Sequence, residues 1–518
     1  MVSYVLYRKV TGMINTILPQ EMKTLEQSWM HEHQIPSILL MDRAARAVVS
    51  RLQAHVPSSS PVLFLCGPGA NGGDGYATAR LWQEQGGTSM ILELSSDAQG
   101  DAGVYRRLCL ADDIPIFPWD ASNPIWFKDF PVMAVDALFG TGLSRPLSPK
   151  VMDLLLYVQA LRVPVLAVDI PSGLDGGTGH VLGYALHCIE TVTFHRPKPG
   201  LFLASGPSYT GKVTVAPIMI PQEYGSQNGF SCLSPHDLPA LFPPRDACAH
   251  KGTFGHVFIF AGSPGMAGAA AMCAQGAVKA GAGLVTILCR QSLLPILQTL
   301  VPSAMCIPLP EEDGILTDKC CEIVEAGLQK ATVAVVGCGL GQTDDLIPIL
   351  SIFRSAACPV IWDADALNLL VSHPSLLPLP PKDVVTPHPG EAGRLLGIPA
   401  AKVLQDAPGA LETLHKVTGC QVVLKTSRTL MYAEGQRAIQ TVSSPSLARG
   451  GSGDLLCGIL AGTHAILSQQ PSILWLQCAV MIHALAGIRA AKKSGEHTVS
   501  PQEFLSYISV DGTIPASE

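Results

Sequence analysis

The sequence predicts an α/β protein of two successive domains, each a parallel sheet with helices on both faces. Three observations carry this expectation. At roughly 150 residues per domain, 518 residues are too many for one ordinary core. Short apolar runs alternate with helical stretches along nearly the whole chain, the rhythm of βαβ units. That rhythm lapses once, in the polar, Pro-rich stretch between Ile220 and Lys251, and then restarts.

In chain order, a helical opening from Glu21 to about Leu52 comes first. Strand-like runs follow: PVLFLC at 61–66, TSMILEL at 88–94, PVMAVDALF at 131–139 and VPVLAVD at 163–169. Two more, around 189–194 and 212–218, complete a first sheet. The lapse puts a boundary at about Ser226, giving domains of 13–225 and 226–512, with the segment before Met13 unassigned. The second half supplies HVFIFAG at 256–262, GLVTILC at 283–289, TVAVVG at 332–337, CPVIWD at 358–363 and QVVLK at 421–425. The halves share a class but show no sequence repeat.

Composition narrows the function classes. With 47% hydrophobic and 14% charged residues, the chain is core-rich and globular. A net charge of −7 gives no broad attraction to nucleic acid or to an anionic membrane. Any phosphate site must therefore come from loops and helix ends. The helix-like apolar stretch from Ala267 to Cys289 is interrupted by Gln275, Lys279 and glycines, so no membrane span of about 20 residues can be drawn. The N-terminal MVSYVLYRKV is basic but lacks an apolar core and a cleavage-like site, which argues against export. The 15 cysteines are scattered, without a CxxC, and only Cys320 and Cys321 are adjacent. Reduced thiols in a cytoplasmic protein, without zinc, are the expectation.

In the first half, GPGANGGDG at 67–75 follows a buried strand and opens a helical run. Its glycines let main-chain amides approach a phosphate and aim the next helix at it, although a purely structural turn would look similar. The spacing matches neither GxGxxG nor a Walker A loop. Asn71 and Asp74 are polar groups that a mere turn does not require. Two later strand ends carry Asp136, before ALFGTGLSRP, and Asp169, before IPSGLDG. Carboxyl ends of parallel strands open onto one crevice, where ligands bind; the competing reading is a pair of helix N-caps.

In the second half, ARGGSGDLLCGIL at 448–460 runs from a Gly-rich turn straight into an apolar helix. Its first amides lack helical partners, so Gly451, Ser452 and Gly453 are candidates for an anion hole beside a transferring phosphoryl group. Asp454 at the helix start is placed to accept a proton from a hydroxyl nucleophile, or merely to complement the helix dipole. Other strand ends agree: KGTFGHVFIFAGSPGMAGA at 251–269, GCGLG at 337–341, WDADALN at 362–368 and TPHPGE at 386–391. His388 in the last of these is either a ligand contact or a satisfied loop histidine.

GPGxNGGDG, DALFGTG, DIPSGLD and HRPKPG at 195–200 together resemble the NAD(P)H-hydrate epimerase domain, over roughly residues 15–220. The resemblance implies a Rossmann-like α/β/α sandwich and a K⁺ ion held by Asn71, Asp136 and Ser172. The dinucleotide would meet Ala70, Asn71, Gly72, Gly73 and Asp74. A second loop, Gly140, Thr141, Gly142, Leu143, Ser144, Arg145 and Pro146, would line the same ligand. Asp169 would do the acid/base work at C6 of the hydrated ring, with Lys198 assisting through its charge. Ala70 departs from the usual second asparagine.

The second half, over roughly 235–510, resembles the ADP- or ATP-dependent NAD(P)H-hydrate dehydratase, a ribokinase-like α/β/α domain. The implied contacts to the hydrated dinucleotide are Ala269, Gly339, Gly341, His388 and Asp454. Lys425, Thr426, Ser427, Arg428, Thr429 and Gly453 would hold the nucleotide, with Glu391 helping to position Mg²⁺. Cys338 stands where proline is usual, and Thr426–Arg428 where a glycine is common. The implied reaction is phosphorylation of the C6 hydroxyl by ADP or ATP, assisted by Asp454, followed by loss of phosphate. NADHX, NADPHX and the nucleotide are then the partners, in a homo-oligomer that engages no nucleic acid and no membrane. A small-metabolite kinase of the hydroxymethylpyrimidine or hydroxyethylthiazole type, with an N-terminal binding or scaffold module, is the alternative.

Overall fold

The computed structural model describes residues 14–122, 130–225 and 229–513. The expected boundary at Ser226 and the segment before Met13 lie outside the described residues. The chain forms two compact units, one spanning Ile14–Phe230 and the other beginning at Ser231.

In the N-terminal unit, seven strands form one sheet in the spatial order Ile116–Pro118, Thr88–Glu93, Pro61–Cys66, Met133–Ala137, Val165–Val168, Glu190–Phe194 and Lys212–Ala216. Every neighbouring pair is parallel. The central strands are apolar and buried because helices cover both faces. The chain winds outward from Pro61–Cys66 in one direction, then returns to Met133–Ala137 and winds in the other. Between those two strands the crossovers part, leaving a crevice at their carboxyl ends. The helical opening is two helices rather than one, Pro19–His33 and Ser37–His55. Gln34, with φ +53°, and Pro36 break it.

The C-terminal unit repeats the principle. Its sheet runs Ser231–Cys232, Gln436–Ile439, Leu430–Ala433, Gln421–Leu424, Val384–Val385, Val360–Trp362, Val333–Val336, His256–Phe260, Leu284–Arg290 and Met305–Leu309. The strands from Gln421–Leu424 to Met305–Leu309 are parallel, and a hairpin turning at Glu434–Gly435 adds two antiparallel strands. Here the winding reverses between His256–Phe260 and Val333–Val336. The apolar stretch from Ala267 divides into a helix, Ala267–Lys279, and the strand Leu284–Arg290, with Gly281 at φ +105° in the turn. One sequence expectation is corrected. Ser472–Ser494 is long and apolar enough, by length and composition, to cross a bilayer. Ile473 through Gly487 are all buried, so its composition is that of a core helix.

Helices Ala267–Lys279 and Ser452–Leu467 cross almost backbone to backbone. A Cβ at Gly458 would lie 1.9 Å from the Cys273 carbonyl oxygen, and one at Gly462 2.6 Å from that of Ala277. The crossing fixes the start of Ser452–Leu467, and Asp454 with it. Gly458→Ala is therefore expected to destabilise by about 1–3 kcal/mol in urea unfolding, despite the better helix propensity of alanine. An unchanged or raised midpoint would mean that the crossing is loose.

Candidate functional site

The winding reversal in the N-terminal unit gathers the first set of polar residues. The helix Ala70–Glu84 starts directly at the glycine-rich turn, with Ala70 exposed. Gly72 and Gly73 are buried against Gly67 and Met41, so packing alone demands glycine there. Asn71 follows Ala70, and among the described residues neither side-chain atom of its buried amide has a partner. Asp136, fully buried, accepts from Ser172 N at 2.8 Å, Ser172 Oγ at 2.5 Å and Leu138 N at 3.3 Å. Burial raises its carboxyl above the usual range, and the Ser172 bonds oppose that.

Asp169 ends the next strand with φ +64°, a conformation seldom adopted outside glycine. Its Oδ1 accepts from Lys198 Nζ at 2.5 Å and from Thr193 Oγ1 at 2.9 Å. A Cβ at Gly140 would sit 2.9 Å from Asn71 Oδ1 and 3.4 Å from Asp169 Oδ2, so only glycine lets these groups converge. Beyond it, Thr141 and Leu143 are half-buried, while Gly142, Ser144, Arg145 and Pro146 are exposed. Burial, with the charges of Asp169 and Glu26, pushes the Asp74 carboxyl well above its ordinary range. Burial likewise lifts Glu26 to about 7, with Lys198 opposing and Asp169 adding. Glu26 belongs to no motif; it sits on the opening helix, and nothing in its local sequence singles it out.

The second reversal gathers the other set. Gly337, Gly339 and Gly341 all have positive φ. The Gly339 carbonyl accepts from Ser263 Oγ at 2.9 Å, and a Cβ on Gly339 would stand 2.9 Å from that of Ala269. Gly341 N donates to Asp365 Oδ2 at 2.9 Å. Lys425 Nζ donates to Asp363 Oδ1 at 2.6 Å; burial is the largest single influence and works against its ammonium, but Asp363, Cys457 and Glu391 together raise the pKa. A Cβ at Gly453 would be 3.4 Å from Lys425 Nζ. Asp454 is half-buried and lies near Cys338, Asp363 and Lys425. Burial and then the Asp363 charge raise its carboxyl to about 6, against a Cys338 hydrogen bond and Lys425.

A cavity of about 690 Å³ opens beside Lys425 and Gly453. Thr426, Ser427, Thr429, His388 and Ser452 also line it, so His388 faces the residues expected to hold the nucleotide. His388 caps the helix Pro389–Leu396, its Nδ1 accepting from Gly390 N at 2.9 Å, while its own N–H donates to Glu391 Oε2 at 2.8 Å. Arg428 is not in the lining; its guanidinium donates to the Thr441 carbonyl, and burial lowers it to about 10. The anion-hole expectation also changes, because Ser452 N already donates to the Arg449 carbonyl at 3.2 Å. The amides of Gly451, Gly453 and Asp454 have no acceptor among the described residues. His483, missed in the sequence because it lies within an apolar helix, meets Ser452 Oγ at 3.1 Å on the cavity wall. Burial holds it down to about 4, so it is neutral there. Asp363 and Asp365 were visible in WDADALN, but not as an ion-pair partner and a loop anchor.

A carbon NMR titration should find the Asp454 carboxyl near 6, moving down in Asp363→Asn as a like charge is removed. A midpoint near 4 in the parent chain would mean that water reaches this carboxyl freely.

Comparisons with known proteins divide the chain in the same way. A family described as NAD(P)H-hydrate dehydratase matches residues 257–509, and one described as YjeF-related protein N-terminus matches residues 37–200. The bifunctional NAD(P)H-hydrate repair enzyme of Coxiella burnetii is 34% identical over 486 residues, 92% of this chain and 96% of that one. That of Moorella thermoacetica is 32% identical over 512 residues, 94% of each. An ADP/ATP-dependent NAD(P)H-hydrate dehydratase from Bacillus subtilis, co-crystallised with ATP/Mg²⁺, is 25% identical at a TM-score of 0.46. It covers 53% of this chain and 95% of that one.

Proposed function

This chain belongs to the family of bifunctional NAD(P)H-hydrate repair enzymes, and from that premise we propose how its residues divide the work. The N-terminal unit interconverts the R and S forms of hydrated NADH and NADPH. The C-terminal unit dehydrates the S form to NAD(P)H at the expense of ADP or ATP. The observation that carries the second assignment is the position of Asp454, near Cys338, Asp363 and Lys425 and beside unpartnered helix amides.

In the epimerase unit, Asp169 does the acid/base work at C6, and Lys198 Nζ, at 2.5 Å, holds its carboxylate in place. Ala70 to Asp74 and Gly140 to Pro146 enclose the dinucleotide. The buried, unpartnered Asn71 carbonyl beside Gly140, with the oxygens of Asp136 and Ser172, suits a hard monovalent cation. K⁺ would supply positive charge near the substrate phosphates.

In the dehydratase unit, Ala269, Gly339 and Gly341 seat the hydrated ring. The cavity beside Lys425 takes the nucleotide, with Thr426, Ser427 and Thr429 on its wall. Arg428 supports that wall through Thr441 instead of touching the ligand. Asp454 accepts the C6 hydroxyl proton as that oxygen attacks the terminal phosphoryl group, and the free amides of Gly453 and Asp454 stabilise the charge that develops. Electron push from the ring nitrogen then expels phosphate, and loss of a C5 proton to the departing phosphate or to water restores the dihydropyridine. Mg²⁺ would arrive with the nucleotide and neutralise its phosphates. Glu391, engaged by His388, acts by holding that histidine in the cavity wall.

Asp454→Asn should abolish recovery of reduced-nicotinamide absorbance from the S hydrate, by about 10²-fold or more, and leave R-to-S exchange intact. Asp169→Asn should do the reverse. Loss of both activities in either variant would sink the two-site division. The kcat/KM for dehydration should rise with pH through about 6 as Asp454 loses its proton, and then level off. A limb centred near 4 would assign the base elsewhere.

A further inference from the structure

Beside the C-terminal site lies a group of side chains that touch neither the dinucleotide nor the nucleotide in the reaction proposed above. Sγ of Cys338, Sγ of Cys457 and a carboxylate oxygen of Asp363 are buried and lie within 4.8 Å of one another. They come from three elements: the turn after Val333–Val336, the end of Val360–Trp362, and the helix Ser452–Leu467. They are already linked, since Cys457 Sγ donates to Asp363 Oδ2 at 3.0 Å and Cys338 hydrogen-bonds Cys457. A fourth donor is at hand in Cys273, whose thiol also hydrogen-bonds Cys338.

We propose that Cys338, Cys457 and Asp363 form a binding site for a soft divalent cation of the Zn²⁺ or Cd²⁺ class, whose occupation shuts off the dehydratase unit. Metal–sulfur bonds of about 2.3 Å and metal–oxygen bonds of about 2.0–2.2 Å put tetrahedral ligand atoms roughly 3.5–3.8 Å apart. Cys457 Sγ and Asp363 Oδ2, 3.0 Å apart, would open slightly, and no pair of the three ligand atoms starts more than 4.8 Å apart, so only small side-chain shifts are needed. Sulfur donors select against Mg²⁺, so the cation that accompanies the nucleotide does not compete here. Charge also balances. The ion displaces two thiol protons to solvent, and its two positive charges meet two thiolates, while the Asp363 carboxylate stays opposed by Lys425. A neutral sum is what a buried site requires. The cavity is the nearest opening, because Lys425 and Gly453 line it and a Cβ at Gly453 would be 3.9 Å from Asp363 Oδ2. A metal on Asp363 Oδ2 alters the charge facing both Lys425 and Asp454, and Asp454 hydrogen-bonds the ligand Cys338. The inhibitory consequence rests on the dehydratase reading above; the binding itself does not.

The test titrates the reduced full-length chain with Cd²⁺ alone, without nucleotide or dinucleotide. A thiolate-to-cadmium absorption in the ultraviolet should saturate at one ion per chain, with two protons released. Cys457→Ser and Cys338→Ser should each weaken it by at least about tenfold, the lower bound for disturbing even an outer partner of a metal ligand. Cys248→Ser, at an exposed position, should leave it unchanged. Should the serine variants misfold, cadmium NMR of the parent chain decides, with a shift typical of mixed sulfur and oxygen ligands expected. Absorption that survives Cys457→Ser in folded protein, or a cadmium resonance typical of oxygen ligands alone, overturns the site. Cadmium-loaded chain should keep R-to-S exchange and lose dehydration; full dehydration with the ion bound refutes the inhibitory role.

Discussion

In each unit a lysine is drawn out of water and held against the aspartate at a strand end. Lys198 meets Asp169 at 2.5 Å and Lys425 meets Asp363 at 2.6 Å. An ammonium group is strongly solvated, so a mostly buried one persists only where a carboxylate replaces the lost water. Removing one member of such a pair typically costs about 3–5 kcal/mol, chiefly because the other charge is left stranded. The pairs are therefore better seen as constraints on position than as sources of stability. The first fixes the carboxylate of Asp169, whose backbone adopts an unusual conformation. The second fixes the charge that Asp454 faces.

Both pairs sit where they do because of how parallel sheets wind. Wherever the winding reverses, two neighbouring strands send their following segments to opposite faces, and a crevice opens at their carboxyl ends. Gly67 and Leu138 meet across one such crevice, Gly262 and Cys338 across the other. Close approach across these gaps explains the glycines without recourse to ligand binding. The same approach leaves backbone amides and carbonyls facing inward, which is what a dinucleotide or a phosphoryl group needs.

This distribution explains what could be read from the sequence. Buried central strands such as Pro61–Cys66 and Val333–Val336 announce themselves as unbroken apolar runs, and the glycine turns after them are conspicuous. The edge strand Ile116–Pro118 and the hairpin Leu430–Ala433 with Gln436–Ile439 are only three or four residues long, too short to stand out in the sequence. Residues that reach the sites from within helices were equally hidden. Glu26 looks like any surface glutamate of an amphipathic helix, and His483 like a core histidine. Local pattern also could not reveal competition for a partner. The GGSGD turn correctly suggests free amides, yet only the fold shows Arg449 occupying that of Ser452. The cysteines carry no ligand spacing because their neighbourhood is built across three elements.

Opposed demands meet at Asp454. The proton-accepting role proposed for it requires the ionised form, yet burial and the Asp363 charge both favour the neutral one. Full exposure would relieve that strain but would make it a weak base surrounded by water, unable to exclude hydrolysis of the donor. Lys425 and a hydrogen bond from Cys338 pull the other way, and the balance leaves the carboxyl near 6, about where a base is most effective at neutral pH. The residue at 338 thereby acquires significance. Proline, usual there in the family this chain resembles, could donate no side-chain hydrogen bond, whereas the thiol does. The exchange for cysteine gives Asp454 a donor while keeping its surroundings dry, because a thiol is small, weakly polar and at home among Cys273 and Cys457.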